Sequence, residues 1–267
     1  MTANRRPAIQ AASDPVVLAL HGSASTGKQW RTLSEHLEGY AKVVSPDLPG
    51  YGARAHDSSC RLTACVELAT SFQQPLHLVA HSFGCAVALR LAYELPGHVA
   101  SMTLYDPVVP LTTAKGRAVF PAGLQNLWDE ARGGTPERLM QTFMDFWAGS
   151  GTWDRLHLKQ RARLKEMAPG LRRDFWEAER GLWCLNRPSY RGPLSILCAS
   201  NSPEVTLDMA EMIAMFSPQT QLTWLAGHGH LSPLTEPSAI ARYFVKCLSG
   251  HGIKKTYETV SNSRSAA

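Results

Sequence analysis

The chain has 267 residues, which is enough for one large α/β domain with an insertion or for two small domains. Hydrophobic residues make up 44% and charged residues 18%, values that exclude a disordered or fibrous protein. The formal net charge is +5, and the whole excess of basic residues falls within residues 107–193. Such a segment could attract anionic substrates, but no nucleic-acid motif accompanies it. We interpret it as a solvated helical face and expect no nucleic-acid partner.

The cysteines and the chain ends predict a cellular compartment. Six cysteines lie scattered without a C-x-x-C pair, which favours reduced thiols over disulfides or a metal site. Residues 1–15 contain no apolar segment of signal-peptide length, and no later stretch approaches about 18 apolar residues. We therefore expect a cytoplasmic protein with no membrane partner. Residues 250–267 are polar and are expected to form a disordered tail outside the fold.

The first part of the chain alternates strand-like and helix-like segments four times. Apolar strands are expected at residues 16–20, 43–47, 76–81 and 100–105, with helices near residues 30–37, 62–72 and 85–95 between them. This alternation predicts a three-layer α/β fold with a mostly parallel sheet. Ligand-binding groups are then expected at the carboxyl ends of the strands.

Ser82 lies where the third strand ends and a helix begins. A sharp strand-to-helix turn lifts a side chain above the sheet and directs backbone N–H groups at a reacting oxygen. Such a turn needs small residues two positions before and after the serine, and these are Ala80 and Gly84. Ala80 departs from the usual G-x-S-x-G pattern. We predict that Ser82 is a nucleophile, with a helix-capping serine as the alternative.

Residues 108–191 break the alternation with a helix-rich, basic and aromatic segment. Helices are expected at residues 124–131, 136–147, 153–167 and 171–185. Five of the seven tryptophans lie in this segment: Trp128, Trp147, Trp153, Trp176 and Trp183. A helical insertion at the carboxyl edge of the sheet would cover Ser82, and some of these aromatic residues would line an apolar pocket.

The strand pattern resumes after the insertion. Strands are expected at residues 194–199 and 221–226, and helices at residues 206–216 and 237–248. The loop before the last helix reads Gly227-His228-Gly229-His230, which places His230 at the same sheet edge as Ser82. Two histidines with one residue between them suggest a metal site, but no carboxylate or cysteine cluster joins them. We therefore expect no metal.

Together these motifs resemble the α/β-hydrolase family over roughly residues 15–249. The motifs that carry the resemblance are His21-Gly22, Asp47-Leu-Pro-Gly-Tyr-Gly52, Ala-His-Ser82-Phe-Gly, Leu-Tyr-Asp106-Pro and Gly-His-Gly-His230. The resemblance implies a three-layer α/β-hydrolase core formed by residues 1–107 and 192–249. It also makes residues 108–191 a helical cap.

The same resemblance implies the roles of the site residues. Ser82 would be the nucleophile and His230 the general base, while the backbone N–H groups of Ser23 and Phe83 would hold the oxyanion. His228 would lie exposed on the loop, and His21 and His81 would be hydrogen-bonded scaffold. The substrate would contact Gly22, Trp147 and Leu231.

The acid of the expected triad is where the sequence departs from the family. Its usual position, after the penultimate strand, is occupied by Ser202, which cannot hold an imidazolium by charge. Asp106 is the best replacement, since it ends the strand after the Ser82 helix, where relatives such as haloalkane dehalogenases carry their acid. It could instead be a turn residue before Pro107. Glu204 and Asp208 remain candidates, and Asp47 is expected to be structural.

These residues predict a serine hydrolase. The enzyme would cleave a carboxylic ester or thioester of a small to medium acyl compound through an acyl-enzyme, without a cofactor. Because Ser82 is not a carboxylate, dehalogenase chemistry is disfavoured.

Two alternatives stay open. A carbon–carbon bond hydrolase of the ring-fission-product type would use cap arginines to bind a substrate carboxylate. A ligand-binding module with weak catalysis would follow from the missing acid at position 202. In each case the expected partner is a small molecule, and the sequence is compatible with a homodimer.

Overall fold

The computed structural model describes residues 14–112, 118–119, 122–181 and 190–254. The strands are β1 (Val16–Leu20), β2 (Lys42–Val44), β3 (Leu76–His81), β4 (Val99–Tyr105), β5 (Leu111–Thr112), β6 (Ala118–Val119), β7 (Leu194–Ala199) and β8 (Thr220–Leu225). The helices are α1 (Arg31–His36), α2 (Arg61–Thr70), α3 (Gly84–Glu94), α4 (Gln125–Gly133), α5 (Pro136–Ala148), α6 (Thr152–Arg155), α7 (Leu158–Glu166), α8 (Ala168–Glu179), α9 (Glu204–Phe216), α10 (Ser232–Thr235) and α11 (Pro237–Gly250).

Six strands form one parallel sheet in the order β2-β1-β3-β4-β7-β8 within the described residues. This confirms the predicted parallel α/β fold. The short antiparallel pair β5 and β6, which follows β4, was not predicted. Because β3, β4 and β7 are neighbours, the residues that follow them meet at one edge of the sheet.

Alternate residues of each central strand face opposite sides of the sheet. On β1, Leu18 packs in one buried cluster with side chains of α2, α3 and α9, whereas Ala19 packs in another with α1 and α11. This alternation follows from the two-residue repeat of a strand. Both faces of the sheet are therefore covered by helices, which leaves the carboxyl ends of the strands as the place for a site.

The helical insertion differs from the sequence prediction in two places. The helix expected at residues 153–167 is interrupted, because α6 ends at Arg155 and His157 caps the start of α7. Pro169 and Gly170, expected to separate helices, instead lie in the first turn of α8, where proline lacks only an N–H that has no helical partner. Trp183 and the end of the expected helix 171–185 lie outside the described residues.

The apolar side chains of the insertion form a third buried cluster. It includes Leu139, Phe143 and Trp147 from α5, and it packs against Val205 and Met209 of α9. The insertion therefore rests on the side of the sheet edge that carries Ser82.

The end of the described chain corrects one expectation. Helix α11 continues to Gly250, and Ile253 is buried in the cluster beneath α1 and α11. Residues 250–253 therefore belong to the fold rather than to the expected tail, and residues 255–267 lie outside the described part of the chain. Every described helix falls short of the length and apolar character that a membrane span requires.

Candidate active site

Ser82 lies in the turn between β3 and α3 with a positive φ of 55°. This strained conformation is uncommon for a residue with a side chain and is typical of functional sites. A Cβ on Gly84 would lie 2.5 Å from the carbonyl oxygen of Leu20, so only glycine allows α3 to pack this close to β1. A Cβ on Gly22, which follows β1, would lie 3.0 Å from the Ser82 Cβ. The end of β1 therefore packs closely against the turn that carries Ser82.

His230 contacts Ser82 directly. The Ser82 Oγ lies 2.9 Å from His230 Nε2, and both side chains are buried. In the neutral tautomer that carries its proton on Nδ1, Nε2 accepts the serine hydroxyl proton. This contact is the nucleophile-to-base geometry of acyl-transfer enzymes.

Asp106 lies on the other side of the imidazole. It follows β4 with a φ of 41°, is fully buried, and brings its Oδ2 to 3.4 Å from His230 Nδ1. Nδ1 completes no well-aligned hydrogen bond at this distance. Such contacts are often loose without substrate and shorten when it binds. The structure therefore brings Ser82, His230 and Asp106 together in one line.

The other candidate acids lie elsewhere. Glu204 and Asp208 are exposed on α9, and Asp208 is inside that helix rather than at its cap. Asp47 accepts hydrogen bonds at 2.7 Å from the backbone N–H groups of Gly27 and Ala53, so it holds two loops together.

Two further histidines are buried beside the site. His81 Nε2 lies 2.9 Å from the backbone oxygen of His230, and its Nδ1 lies 3.1 Å from Gln29 Nε2. Burial, with a contribution from neighbouring His230, lowers the pKa of His81 well below its usual range. His21 bridges the Gly22 carbonyl oxygen and the Leu48 N–H, and burial lowers its pKa to about 4. Both rings are neutral supports of the surrounding loops.

His228 is less exposed than expected. Its side chain is 15% exposed, and Nδ1 lies 3.2 Å from Glu236 Oε2. Among the described residues, no group of three or more His, Cys, Asp or Glu side chains is arranged to hold a metal ion.

A small cavity opens directly above Ser82. Its volume is about 40 Å³, and Ser23 and Phe83, the expected oxyanion residues, lie in its wall beside Ser82. Apolar side chains from both the insertion and α9 form most of the remaining wall, including Leu127, Phe143, Trp147, Phe175 and Met209. Among the described residues that line it, Asp174 is the sole charged group and no arginine or lysine is present.

Trp147 separates this cavity from a second, open cleft. Its ring stacks on His230 at a centroid distance of 3.8 Å and an interplanar angle of 21°. The open cleft has a volume of about 570 Å³ and is lined by Trp147, Leu231 and Ser202, among others. Of the three residues expected to contact substrate, Trp147 lines both the inner cavity and the outer cleft, and Leu231 lines the outer cleft. Gly22 lines neither of them and instead lies against Ser82 and His81.

A sequence model of the alpha/beta hydrolase family matches residues 16–243, which is most of the chain. The chain belongs to the alpha/beta hydrolase family.

Individual relatives are matched over shorter segments. The chain is 34% identical over 113 residues to lipase LipV of Mycobacterium tuberculosis, a match that covers 40% of this chain and 43% of the lipase. It is 31% identical over 105 residues to a haloalkane dehalogenase of Mesorhizobium japonicum, covering 37% of this chain and 34% of the dehalogenase. The chain spans less than half the length of these curated relatives.

The fold is also similar to solved structures. A meta-cleavage product hydrolase from Pseudomonas fluorescens IP01 superposes with a TM-score of 0.65 at 17% identity, covering 89% of this chain and 91% of the other. At this identity the similarity extends to the fold alone.

In this alpha/beta hydrolase, a buried ionic cluster connects the insertion to the core. Arg61 of α2 pairs with Asp174 of α8 and lies 3.6 Å from Glu177, while the Tyr51 hydroxyl donates to Asp174. We call Tyr51, Arg61, Asp174 and Glu177 the Arg61 cluster. Arg61 Nε also donates to the Pro49 carbonyl oxygen at 2.6 Å. Helix α8, which lines the cavity through Asp174, is thereby fixed to the core.

Sequence reasoning missed the Arg61 cluster, the stacking of Trp147 on His230, and a contact of Ser202. Arg61 and Asp174 are 113 residues apart, so no local pattern connects them. The Ser202 hydroxyl donates to Asp106 Oδ2, which the position of Ser202 in the usual acid slot could have suggested.

Proposed function

We propose that this alpha/beta hydrolase is a serine hydrolase that cleaves carboxylic esters or thioesters of short, uncharged acyl groups. The observation that carries the proposal is the continuous line of contacts from Ser82 Oγ to His230 Nε2 (2.9 Å) and from His230 Nδ1 to Asp106 Oδ2 (3.4 Å). This order of groups matches the nucleophile, base and orienting acid of serine hydrolysis.

Each step uses a group of this chain. His230 Nε2 removes the hydroxyl proton while Ser82 Oγ bonds to the carbonyl carbon, and the Asp106 carboxylate stabilises the charge that the imidazole gains. The backbone N–H groups of Ser23 and Phe83 donate to the oxyanion. His230 then returns the proton to the leaving alcohol or thiol. A water attacks the acyl-enzyme by the reverse sequence and releases the acid and free Ser82.

The inner cavity supports a short acyl group. Its volume of about 40 Å³ equals roughly three water-sized spheres, and its walls are mostly apolar. A long acyl chain exceeds this volume and would have to displace lining side chains such as Leu127 of α4 and Phe143 of α5. A charged acyl group would lack a partner, since no described lysine or arginine lines the wall.

The same observation disfavours carbon–carbon hydrolysis of a ring-fission product, whose carboxylate needs a cation. The described arginines on the α8 side of the insertion are bonded elsewhere: Arg172 donates to the Ala131 carbonyl oxygen and Arg173 to Glu177. The relative named for meta-cleavage products shares the fold at low identity and carries no argument for its substrate.

The test is hydrolysis of p-nitrophenyl acetate, butyrate and octanoate by wild type, Ser82→Ala and His230→Asn. Wild type should turn over the two short esters faster than the octanoate. Both variants should lose about 10⁴-fold or more of kcat, because the nucleophile or base is absent.

His228→Asn is the matched control, since it changes a histidine two residues away without touching Ser82. A fluorophosphonate should label wild type and the control but not Ser82→Ala. Labelling without hydrolysis would favour a ligand-binding protein, and full activity of Ser82→Ala would overturn the proposal.

A further inference from the structure

Ser202 occupies the loop after β7, at the position where the family usually carries its acid, and it contacts the acid that replaces it. Its hydroxyl donates to Asp106 Oδ2. The backbone N–H of Ala199, at the end of β7, donates to Asp106 Oδ1 at 2.9 Å. Both carboxylate oxygens are therefore bound by β7 and its loop, although Asp106 itself follows β4.

The loop that carries Ser202 is fixed relative to His230. The Asn201 N–H donates to the His228 carbonyl oxygen at 2.9 Å, and the Gly227 N–H donates to Ser200 Oγ at 2.9 Å. Ser202 N–H closes the turn on the Ala199 carbonyl oxygen. The hydroxyl of Ser202 thus has a defined position between the base and its acid.

Asp106 Oδ2 is shared by two donors. The Ser202 hydroxyl is bonded to it, while His230 Nδ1 approaches to 3.4 Å without a well-aligned hydrogen bond. A hydroxyl that donates to a carboxylate oxygen withdraws part of its negative charge and fixes its orientation. The bond to Ser202 therefore competes with the interaction that stabilises a protonated imidazole.

We propose that Ser202 is a positioning residue. Its hydroxyl orients the Asp106 carboxylate toward His230 and weakens the attraction between that carboxylate and the protonated imidazole. The inference rests on the proposed function, in which His230 is the general base. The reaction begins with a neutral base. A weaker attraction between the Asp106 carboxylate and the protonated imidazole therefore lets His230 act as a base at lower pH.

The other titratable groups around the pair do not compete with this effect. His81 from β3 is neutral because burial lowers its pKa well below the usual range. Burial raises the pKa of Tyr105 and Cys85, and that of Cys198 to about 12, so these groups are uncharged. Glu236, which lines the outer cleft with His230 and Ser202, lies 3.2 Å from His228 Nδ1, and Asp174 in the wall of the inner cavity pairs with Arg61.

The experiment is the pH dependence of kcat/KM for p-nitrophenyl acetate in wild type, Ser202→Ala and Ser202→Thr. Without the hydroxyl, Asp106 is free to close on His230 Nδ1, so the acidic limb should move up by about 0.5 to 1 pH unit. The rate at the plateau should fall less than about 10-fold. Ser202→Thr, which keeps a hydroxyl, should restore the wild-type limb.

Ser200→Ala is the matched control, because Ser200 lies in the same loop but its hydroxyl contacts Gly227 and Asn201 rather than Asp106. A purely structural role of Ser202 predicts a lower plateau with an unchanged limb, and that result would overturn the proposal. Two other results would also overturn it: an equal shift of the acidic limb in Ser200→Ala, or an acidic limb in Ser202→Thr that stays shifted from that of wild type.

Nitrogen-15 NMR titration of the His230 ring separates this inference from the proposed function. If Ser202→Ala moves the titration of the ring but no ester is hydrolysed by wild type, the positioning stands and the hydrolase proposal fails. If esters are hydrolysed and neither the ring titration nor the limb moves, the positioning fails alone.

Discussion

Two buried polar clusters lie on either side of the inner cavity, and they differ in how well their groups are satisfied. In the first, Ser82 and Asp106 have positive φ angles, and the Nδ1 atom of His230 lacks a completed hydrogen bond. In the second, the Arg61 cluster, no buried side-chain nitrogen or oxygen of the described residues is without a partner. Arg61 alone bonds to two carbonyl oxygens and a carboxylate.

This difference is consistent with a reactive role for the Ser82, His230 and Asp106 cluster and with a structural role for the Arg61 cluster, which connects α8 to the core. Backbone strain and an incomplete hydrogen bond persist only where the surrounding fold imposes them, and they leave a group ready to react. A buried ion pair tolerates no such deficit, because an unpaired charge there is strongly destabilising. Changes in the first cluster should therefore affect activity, and changes in the second should affect stability.

The largest expected effect is on catalysis by Asp106→Asn. The amide cannot stabilise a protonated His230, so kcat for p-nitrophenyl acetate should fall by about 10⁴-fold. Denaturant unfolding of the variant should remain cooperative. Glu204→Gln, which neutralises the exposed carboxylate nearest the usual acid position, should keep wild-type activity. If the two variants behave in the opposite way, Glu204 is the acid.

The next effect is on the stability of the Arg61 cluster. Arg61→Met leaves Asp174 buried without its cation, whereas Glu177 keeps its ion pair with Arg173. The free energy of unfolding should therefore fall by about 3 to 5 kcal/mol. The control is Arg132→Met, which removes an exposed ion pair with Glu179 and should cost less than about 1 kcal/mol.

A double variant tests whether charge is the cause. Adding Asp174→Asn to Arg61→Met removes the unpaired carboxylate, so most of the lost stability should return in urea unfolding. If Arg61→Met and Arg132→Met lower the free energy of unfolding equally, burial does not make the Arg61 ion pair more important for stability than the exposed one.

The smallest effect concerns the pH dependence of stability at His21. Burial lowers the pKa of His21 from its ordinary value of 6.5 to about 4. The unfolded chain therefore binds more protons between these values, so stability is complete above pH 6.5 and declines as the pH falls toward 4. The decline linked to His21 is on the order of 3 kcal/mol.

His21→Asn, which retains one donor and one acceptor, should lessen that decline in urea unfolding at pH 7.5, 6 and 5. The exposed His36 provides the control, and His36→Asn should follow the wild-type curve. An identical pH slope in wild type and His21→Asn would contradict the assignment.

The sequence was sufficient for the parts of the molecule that depend on local pattern. Alternating apolar runs predicted the parallel sheet, and the small residues around Ser82 predicted its turn. His230 and Asp106 were placed at the same edge because each follows a parallel strand, and the structure brings them together with Ser82. Helix ends were predicted less well: the sequence predicts a helix boundary at Pro169, but proline fits the first turn of α8.

The contacts that the sequence did not predict join distant segments. Arg61 meets α8, and Trp147 stacks on His230, only because the insertion folds back over the sheet edge. Hydrophobic periodicity describes which face of a helix is buried but not which segment covers it. The hydrogen bond from Ser202 to Asp106 was missed for a different reason, since the sequence does not show that the residue in the usual acid position contacts the acid on the neighbouring strand.

The adjacency of β4 and β7 has a consequence for how related genes are interpreted. Neighbouring parallel strands lie about 4.8 Å apart, so a carboxylate carried by either one can reach the same imidazole. A homologue that lacks an aspartate after the penultimate strand is therefore not, on that ground, a dead enzyme.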